Sequence, residues 1–531
     1  MPRWLAVRNT DDYTQAQIDS IANNYQLVMM EKSNQNGLTY TEEGMSKLAA
    51  SLKASSSSIK TIAYWNALLR YEDYEAVNTF DDDWAETAVD EDGNISILLQ
   101  RDTLYRYNRE IPELRDWWVE STLRLAEDPN IDGLFIDVPS VETTYFYDSF
   151  GEPIGGNAIV FDAIREAMPA NKMLVGNSLG SEYINGHREL MEVFDASYFE
   201  RWSFIGGESL YDKTEADTVA TTIQLMREAL SLGKMVNFQT TPEGFGIEDD
   251  PAPTGFDNFA ARQAYAQKWV DYPLAVFLIA AEENAYFGYN IGVNAIEATF
   301  NDDIWDTSFI DQFNRTLGPP LADPTRDGHV YTRSYTNLDV WLDLETKKTN
   351  VFWKNDIGNP GMSGSAVSNT DGTYEMEAGG SDISGTSDQF FYLSDSHTSD
   401  GEFIARVDSV EQTDVWAKGG IMCRESLDAD AANVMVLVRP DNQVNMQWRT
   451  SAGLASVSAE LVGGTANVKW VRLVRSGNTY TGYYSTNGTT WTTIASQTVT
   501  MDTDIEVGLA ATSHNDDELT TVNFSNVAFD K

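Results

Sequence analysis

Short apolar runs alternate with longer amphipathic stretches over the first 300 residues of the chain. The short runs are continuously apolar, as in strands of a parallel sheet covered on both faces, and the longer stretches have the period of a helix. Eight units predict a (β/α)8 barrel, and the lack of a Gly-rich phosphate loop disfavours a doubly wound sheet. The predicted strands are 4–9, 26–31, 60–66, 132–137, 172–177, 195–200, 234–239 and 284–290. The clearest predicted helices are 14–25, 41–54, 113–128 and 256–283.

A polar residue closes seven of these predicted strands. The residues are Asn9, Glu31, Asn66, Asp137, Asn177, Glu200 and Gln239. The carboxyl ends of barrel strands meet at one face, where barrel enzymes have their active sites. Asp137, which ends the run IDGLFID, is therefore expected in a polar ring, where a carboxylate is not left buried and unpaired.

The pattern changes to the alternation of antiparallel β-strands in the second part of the chain. Residues 318–356 are expected to form accessory strands packed beside the barrel, and the Gly- and Ser-rich residues 357–371 to form a linker. Residues 372–531 contain many short alternating runs broken by turns, which predict an all-β sandwich, or jelly-roll, domain. The predicted fold is thus an α/β TIM barrel, residues 1–317, followed by this sandwich.

Composition excludes several classes of function. The chain has 82 acidic and 36 basic residues, and so acidic a surface does not suit nucleic acid. No apolar run reaches the roughly 18 residues of a membrane-spanning helix. A single cysteine excludes an intrachain disulfide, and the four histidines lack metal-ligand spacing, so we expect no metal and no cofactor. The first residues lack a signal-peptide pattern and would suit a mature secreted chain with an added Met or a cytoplasmic protein.

Two acids at alternate strand ends, Asp137 and Glu200, are the candidate catalytic pair. Glycoside hydrolysis needs two carboxyl groups on either side of the scissile bond. A single acid at a strand end is more often a solvated or capping residue, but a pair on the fourth and sixth strands favours catalysis.

Aromatic and amide side chains at the same strand ends are candidates for sugar binding, because aromatic rings stack on sugars and amides hydrogen-bond to hydroxyls. The candidates are Tyr64, Trp65, Asn66, Asn177, Arg201, Trp202, Gln239 and Tyr286. Core packing is the alternative for the aromatic residues, and it is favoured for Trp117 and Trp118 within a predicted helix. The arginines near the strand ends would recognise sulfate or carboxylate, or would pair with neighbouring acids. They are Arg70, Arg101, Arg106, Arg109 and Arg201.

The motifs QLVMMEK, AYWNALLRYEDYEA, DGLFIDVPS, VGNSLG, FERW and AYFGYN resemble a bacterial glycoside hydrolase (β/α)8-barrel family. That family is similar to marine endo-fucanases, α-polygalactosaminidases and clan D α-glycosidases, and the resemblance covers about residues 2–350. It implies that Asp137 is the nucleophile and Glu200 the proton donor. Two positions depart from the family pattern: Val138-Pro139 replaces a small residue, and Arg201 replaces a histidine.

Residues 385–528 resemble the concanavalin-like β-sandwich modules that are appended to bacterial carbohydrate enzymes. Such modules either bind glycan or only pack on the barrel. Trp448, Trp470 and Trp491 are the candidate contacts, and core packing is favoured for at least two of them.

The sequence therefore leads to a secreted, monomeric endo-α-glycosidase of a marine bacterium. Its expected partner is a polysaccharide, an algal polymer such as a sulfated fucan (fucoidan), cleaved through a two-carboxylate mechanism. Carboxyl groups about 5–5.5 Å apart would mean retention, and a gap of about 6.5–9.5 Å would mean inversion with Asp137 as the base. Three alternatives remain open: a hydrolase of another galactan or of an amino-sugar polysaccharide, a non-catalytic glycan-binding barrel, and a polysaccharide lyase.

Overall fold

A computed structural model describes most of the chain, in two compact units, Met1–Asn314 and Arg315–Lys531. No helix in the described residues is long and apolar enough to cross a membrane. The described residues are 1–89, 94–100, 103–137, 146–147, 153–154, 156–177, 179–180, 184–200, 202–203, 214–242, 259–289, 310–463 and 469–529.

Eight parallel strands form a barrel in the first unit. They are β1 (Trp4–Val7), β2 (Leu27–Met30), β3 (Lys60–Asn66), β4 (Gly133–Asp137), β5 (Met173–Gly176), β6 (Ala196–Phe199), β7 (Met235–Thr240) and β8 (Ala285–Tyr289). Their order in the sheet is their order in the chain. The amide of Phe287 donates to the carbonyl oxygen of Pro2 at 3.0 Å, which brings β8 beside the start of the chain and closes the barrel. The predicted barrel is confirmed.

Helices connect the strands. They are α1 (Gln15–Asn24), α2 (Thr41–Ser55), α3 (Pro112–Ala126), α4 (Gly156–Ala167), α5 (Glu215–Ser231), α6 (Phe259–Trp269), α7 (Asp271–Ala280) and α8 (Asp311–Asn314), with 3₁₀ helices at Glu75–Thr79, Asp82–Trp84 and Ile184–Met191. The loops after β3 and β4 carry the short strands Thr87–Val89, Ile95–Ile97, Leu99–Gln100, Leu104–Tyr105, Phe146–Tyr147 and Pro153–Ile154. In the described residues, the crossover between β5 and β6 is the 3₁₀ helix.

One expected helix differs from its prediction. Instead of a single helix over 256–283, the chain forms α6 and α7, which meet at Val270. Pro273 has no amide hydrogen and cannot donate to the carbonyl of Trp269 four residues earlier. The helical hydrogen-bond ladder is therefore interrupted where α6 ends.

Aromatic side chains fill the barrel interior below the strand ends. The ring of Tyr198 packs edge-on against Trp4 and Phe135, with centroids 5.1 and 5.3 Å apart, and Phe135 stacks on Tyr64 at 5.8 Å. Gly288 lets Trp4 approach, since a Cβ atom there would lie 2.6 Å from the indole nitrogen. These rings form a packed floor beneath the polar strand ends.

The second unit is built from two antiparallel sheets. Its strands are β9 (Thr325–Asp327), β10 (Val330–Ser334), β11 (Leu338–Asp343), β12 (Lys348–Ile357), β13 (Ser365–Ser368), β14 (Tyr374–Ala378), β15 (Phe390–His397), β16 (Gly401–Val410), β17 (Lys418–Arg424), β18 (Asn433–Val438), β19 (Gln443–Arg449), β20 (Val457–Ser458), β21 (Val462–Gly463), β22 (Trp470–Ser476), β23 (Thr479–Ser485), β24 (Thr492–Thr498), β25 (Ile505–Thr512) and β26 (Thr520–Phe529). One sheet has the order β9-β10-β11-β12-β15-β25-β17-β18-β19-β20, with β21 also paired to β19. The other has the order β13-β14-β26-β16-β22-β23-β24.

The expected internal boundaries of this part of the chain need correction. β12 pairs directly with β15 through partners such as Asn355 and Tyr392, so residues 318–356 belong to the sandwich unit. Residues 357–371 contain β13, which pairs with β14, and therefore do not form a linker. The sequence pattern did not show this because strand pairing joins segments that are far apart in the chain.

Candidate active site

The carboxylate of Asp137 is held at the end of β4 by two side chains of β3. The hydroxyl of Tyr64 donates to Asp137 Oδ2 at 2.5 Å, and Asn66 Nδ2 donates to the same oxygen at 3.2 Å. Asn66 Nδ2 also donates to the Tyr64 hydroxyl at 2.9 Å. The three side chains can meet because Asn66 is the register partner of Asp137 and Tyr64 lies two residues earlier on the same face of β3.

Backbone contacts fix the orientation of the Asn66 amide. Its Oδ1 accepts from the amides of Leu68 and Leu69 at 2.8 and 2.7 Å, so its NH2 group must point towards Asp137. The indole of Trp118 in α3 donates to the carbonyl oxygen of Asn66 at 3.3 Å. The turn after β3 and helix α3 thus orient the amide beside Asp137.

Asn177, directly after β5, connects the two predicted catalytic acids. Its Nδ2 donates to Asp137 Oδ1 at 3.1 Å and to Glu200 Oε2 at 3.2 Å. The two hydrogens of one amide can serve one carboxylate each. Because both oxygens lie within hydrogen-bond distance of one nitrogen, they are at most about 6 Å apart. The structure therefore brings the carboxyl groups of Asp137 and Glu200 close together at the carboxyl ends of the barrel strands.

Tyr64 is a proton donor in this network. Burial, and then the negative charge of Asp137, raise the pKa of the Tyr64 hydroxyl well above its usual value. The phenol is therefore neutral over the working range of an enzyme. Its hydrogen lies towards Asp137 and stabilises the carboxylate.

Glu31 belongs to a separate ion cluster at the ends of β1 and β2. Its carboxylate pairs with Arg8 and, at 3.7 Å, with Lys32. Burial alone would raise the pKa of Glu31, but the Lys32 and Arg8 cations outweigh it and lower the pKa overall. Glu283, by contrast, is exposed and precedes β8, so it lies at the opposite end of the barrel from the carboxylate pair.

Two further candidates for substrate binding point into the barrel at different depths. Gln239 on β7 pairs in register with Gly288, and its side-chain oxygen lies 2.6 Å from where a Cβ atom of Gly288 would be. Tyr286 pairs with Asn237, one layer nearer the amino ends of the strands. Burial raises the pKa of the half-buried Tyr286. Gln239 is thus the nearer of the two to the end of the barrel where the carboxylates lie.

Trp65 is a correction to the expected set of sugar-binding residues, whereas Trp202 is half-buried and stays a prediction. Trp65 is 3% exposed and lies outside the barrel, with its ring against Tyr74 and against Trp117 of α3. Trp202 packs on Phe238 of β7 and Tyr272 of α7. Tyr64 and Asn66 face inward, so the intervening Trp65 must face outward. Arg201 lies outside the described residues.

The arginines near the strand ends include two that pair with acids. Arg70 forms ion pairs with Glu72 and Asp82, and Arg106 pairs with Glu86 at 2.9 Å. For these two arginines the structure matches the alternative of pairing with neighbouring acids. Arg101, like Arg201, is outside the described part of the chain. Trp117 and Trp118 are buried, which confirms the expected core packing.

The tryptophans expected on the sandwich divide between the core and the surface. Trp448 is buried in the core. Trp470 and Trp491 are half-buried. The Arg472 guanidinium lies 5.6 Å from the centre of the Trp491 ring. Core packing thus holds for Trp448, and the other two tryptophans keep part of their surface accessible.

A profile of one protein family matches more than half of the chain. The family is described as Hypothetical glycosyl hydrolase family 15, and the match covers residues 53–339. This span includes β3 to β8 and therefore Tyr64, Asn66, Asp137, Asn177 and Glu200. No curated protein matches the chain.

Several solved structures are weakly similar to this chain at low sequence identity. A noncanonic maltogenic α-amylase AmyB from Thermotoga neapolitana is 9% identical, over 87% of this chain and 97% of its own, with a TM-score of 0.40. The cyclic α-maltosyl-(1→6)-maltose hydrolase from Arthrobacter globiformis is 10% identical, over 69% and 92%, with a TM-score of 0.39. The carbohydrate-binding module CBM66 from Bacillus subtilis is 15% identical, over 33% and 98%, with a TM-score of 0.23. Likenesses this weak do not decide substrate or mechanism.

Proposed function

The chain belongs to the family described as Hypothetical glycosyl hydrolase family 15, and we propose that it hydrolyses glycosidic bonds with Asp137 and Glu200 as the reacting carboxyl groups. The observation that carries this proposal is the amide of Asn177, which donates to both carboxylates at 3.1 and 3.2 Å. Two acids joined through one side chain at the carboxyl ends of barrel strands match the chemistry of glycoside hydrolysis.

The short separation favours a retaining mechanism. Retaining enzymes have their carboxyl groups about 5–5.5 Å apart, and inverting enzymes about 6.5–9.5 Å apart to admit a water molecule. The Asn177 bridge limits the two nearest oxygens of Asp137 and Glu200 to at most about 6 Å, which supports retention.

In the first step Asp137 attacks the anomeric carbon while the bond to the leaving oxygen breaks. Glu200 gives its proton to that oxygen, and the sugar becomes esterified to Asp137. In the second step Glu200 takes a proton from water, whose oxygen bonds to the anomeric carbon as the ester bond to Asp137 breaks. The hydrogen bonds from Tyr64 and Asn66 orient the attacking carboxylate.

The proposed substrate is an algal polysaccharide cleaved within the chain, in the first instance a sulfated fucan. The sequence motifs shared with barrels similar to marine endo-fucanases support this choice. We also place the activity outside the cell, because a polymer of this kind is too large to be taken up intact.

A reducing-end assay on a panel of algal polysaccharides tests the proposal. We expect the wild-type protein to cleave one polymer, and Asp137→Asn and Glu200→Gln each to lower kcat by about a thousandfold or more. Proton NMR of the first product formed should show the anomer of the substrate linkage, as retention requires.

Glu283→Gln is the matched control, because this exposed glutamate lies at the opposite end of the barrel, and its activity should equal that of the wild-type protein. Activity that survives either active-site substitution would show that the acid pair is wrongly assigned. Glycan binding without turnover in the wild-type protein would instead favour a non-catalytic barrel, and an unsaturated uronide product would identify a lyase.

A further inference from the structure

The ion cluster at the ends of β1 and β2 carries more positive than negative charge. It contains the Arg8 guanidinium, the Lys32 ammonium and one carboxylate, that of Glu31. The three side chains are 9%, 13% and 20% exposed, so water screens their charges only weakly. One positive charge in the cluster is therefore not balanced by Glu31.

The positively charged Lys32 lies next to the tyrosine that binds the reacting carboxylate. Its ammonium lies 4.9 Å from the ring centre of Tyr64 and 5.7 Å from that of Tyr71, within the range of a cation–π interaction. Tyr64 is the residue whose hydroxyl donates to Asp137 at 2.5 Å. A chain of direct contacts therefore runs from Lys32 through Tyr64 to Asp137.

Lys32 is a cation in this environment. Burial and the neighbouring Arg8 cation lower its pKa, but the negative charge of Glu31, with smaller contributions from Tyr71 and Asp137, outweighs them and raises the pKa overall. In the part of the chain that the structure describes, the charged groups around the network are Arg8 and Glu31 at the ends of β1 and β2, Asp137 on β4, and Glu200 after β6. Among Arg8, Glu31, Lys32 and Asp137, the charges sum to zero when both acids are ionised.

We propose that Lys32 is a positioning residue of the glycosidase reaction, which holds the ring of Tyr64 so that its hydroxyl aims the Asp137 carboxylate at the anomeric carbon. This inference rests on the proposed function. The positive charge of Lys32 also offsets the negative charge of the attacking carboxylate.

A double-mutant cycle on the polysaccharide cleaved by the wild-type protein tests the inference. We expect Lys32→Met to lower kcat about 10- to 100-fold and to change KM by less than about 2-fold, because a positioning contact matters most in the transition state. In a Tyr64→Phe background, the same substitution should lower kcat by less than about 3-fold, since the hydroxyl that Lys32 positions is already absent. Lys32→Arg, which keeps the charge and the contact with the ring, should recover most of kcat.

Lys53→Met is the matched control. Lys53 is a partly buried lysine that pairs with Asp132 at 2.6 Å, next to the amino end of β4 and away from the carboxylate pair. This variant should keep the kcat of the wild-type protein, even if its melting temperature falls. Near-ultraviolet circular dichroism of each variant separates loss of fold from loss of rate.

The outcomes separate the inference from the proposed function. A wild-type protein that cleaves none of the polymers overturns both. A wild-type protein that is active, with losses that are additive in the cycle, shows that Lys32 does not act through Tyr64 and overturns the inference alone. An equal loss of kcat in Lys53→Met, or a failure of Lys32→Arg to recover activity in a folded protein, also overturns the inference alone.

Discussion

The orientation of two side-chain amides determines how the carboxylates are held. The carbonyl oxygen of Asn66 is occupied by the amides of Leu68 and Leu69, so its nitrogen faces Asp137. Asn177 uses its nitrogen for Asp137 and for Glu200. Hydrogen bonds to a charged acceptor are the stronger kind, and the Asp137 carboxylate accepts such bonds from Tyr64, Asn66 and Asn177.

Replacement of Asn177 by alanine should slow catalysis without unfolding the barrel. We expect Asn177→Ala to lower kcat about 10- to 100-fold, because both carboxylates lose a positioned donor while Asp137 keeps those from Tyr64 and Asn66. Steady-state kinetics, together with the melting temperature, measure the effect.

Asn177→Asp provides the comparison at the same position. It preserves the size of the side chain but adds a third carboxylate between two others, so its activity should be lower still. Equal activity in Asn177→Ala and the wild-type protein would show that the bridge does not contribute to the reaction.

At the scale of the secondary-structure element, helix α2 packs closely on the segment that follows strand β2. Gly44 in α2 lies against the segment that follows β2, where an added Cβ would be 2.1 Å from the carbonyl oxygen of Asn34 and 2.4 Å from backbone atoms of Gln35. Backbone atoms cannot move aside as a flexible side chain can. This glycine therefore allows α2 to approach the segment next to the Arg8–Glu31–Lys32 cluster.

Gly44→Ala should destabilise the barrel, although alanine is normally the better helix former. We expect the free energy of unfolding to fall by about 1–2 kcal/mol, because an overpacking strain of about 2–3 kcal/mol exceeds the roughly 1 kcal/mol gained in helix propensity. Urea unfolding followed by far-ultraviolet circular dichroism measures the change.

Ala50→Gly in the exposed part of the same helix is the control, since it should cost about 1 kcal/mol through helix propensity alone. A stabilising effect of Gly44→Ala would contradict the close approach of α2 to the backbone of Asn34.

At the scale of the whole molecule, the chain divides after Asn314 and not near residue 372. Strand β12 pairs on one side with β11 and on the other with β15, so it lies within its sheet. Its side chain Phe352 is buried in the core of the sandwich. Strands that had been expected to accompany the barrel therefore complete the second unit.

Two fragments test this boundary. A fragment of residues 315–531 should be soluble and should unfold in one cooperative transition, because it retains both sheets and their core. A fragment of residues 372–531 should aggregate or remain unfolded, because it exposes the edge of β15 and removes Phe352. Size-exclusion chromatography and thermal unfolding distinguish the two results. Equal stability of the two fragments would mean that the strands before residue 372 are dispensable.

Much of the barrel follows from local patterns in the sequence. A buried parallel strand must be continuously apolar, and it can end in a polar residue only where it leaves the core. The eight runs therefore showed where the strands lie, and their polar ends indicated Asp137, Glu200, Asn66 and Asn177. The acid pair was predictable for the same reason, because parallel strands place their carboxyl ends on one rim.

The tertiary structure decided which of these polar ends meet. Four of the seven, Asn66, Asp137, Asn177 and Glu200, form one network, while Glu31 joins a different cluster. It also placed Trp65 against α3 and brought Lys32 over the ring of Tyr64. The physical reason is that the period of a strand is a local property, whereas register, the facing of side chains and strand partners depend on contacts between segments far apart in the chain.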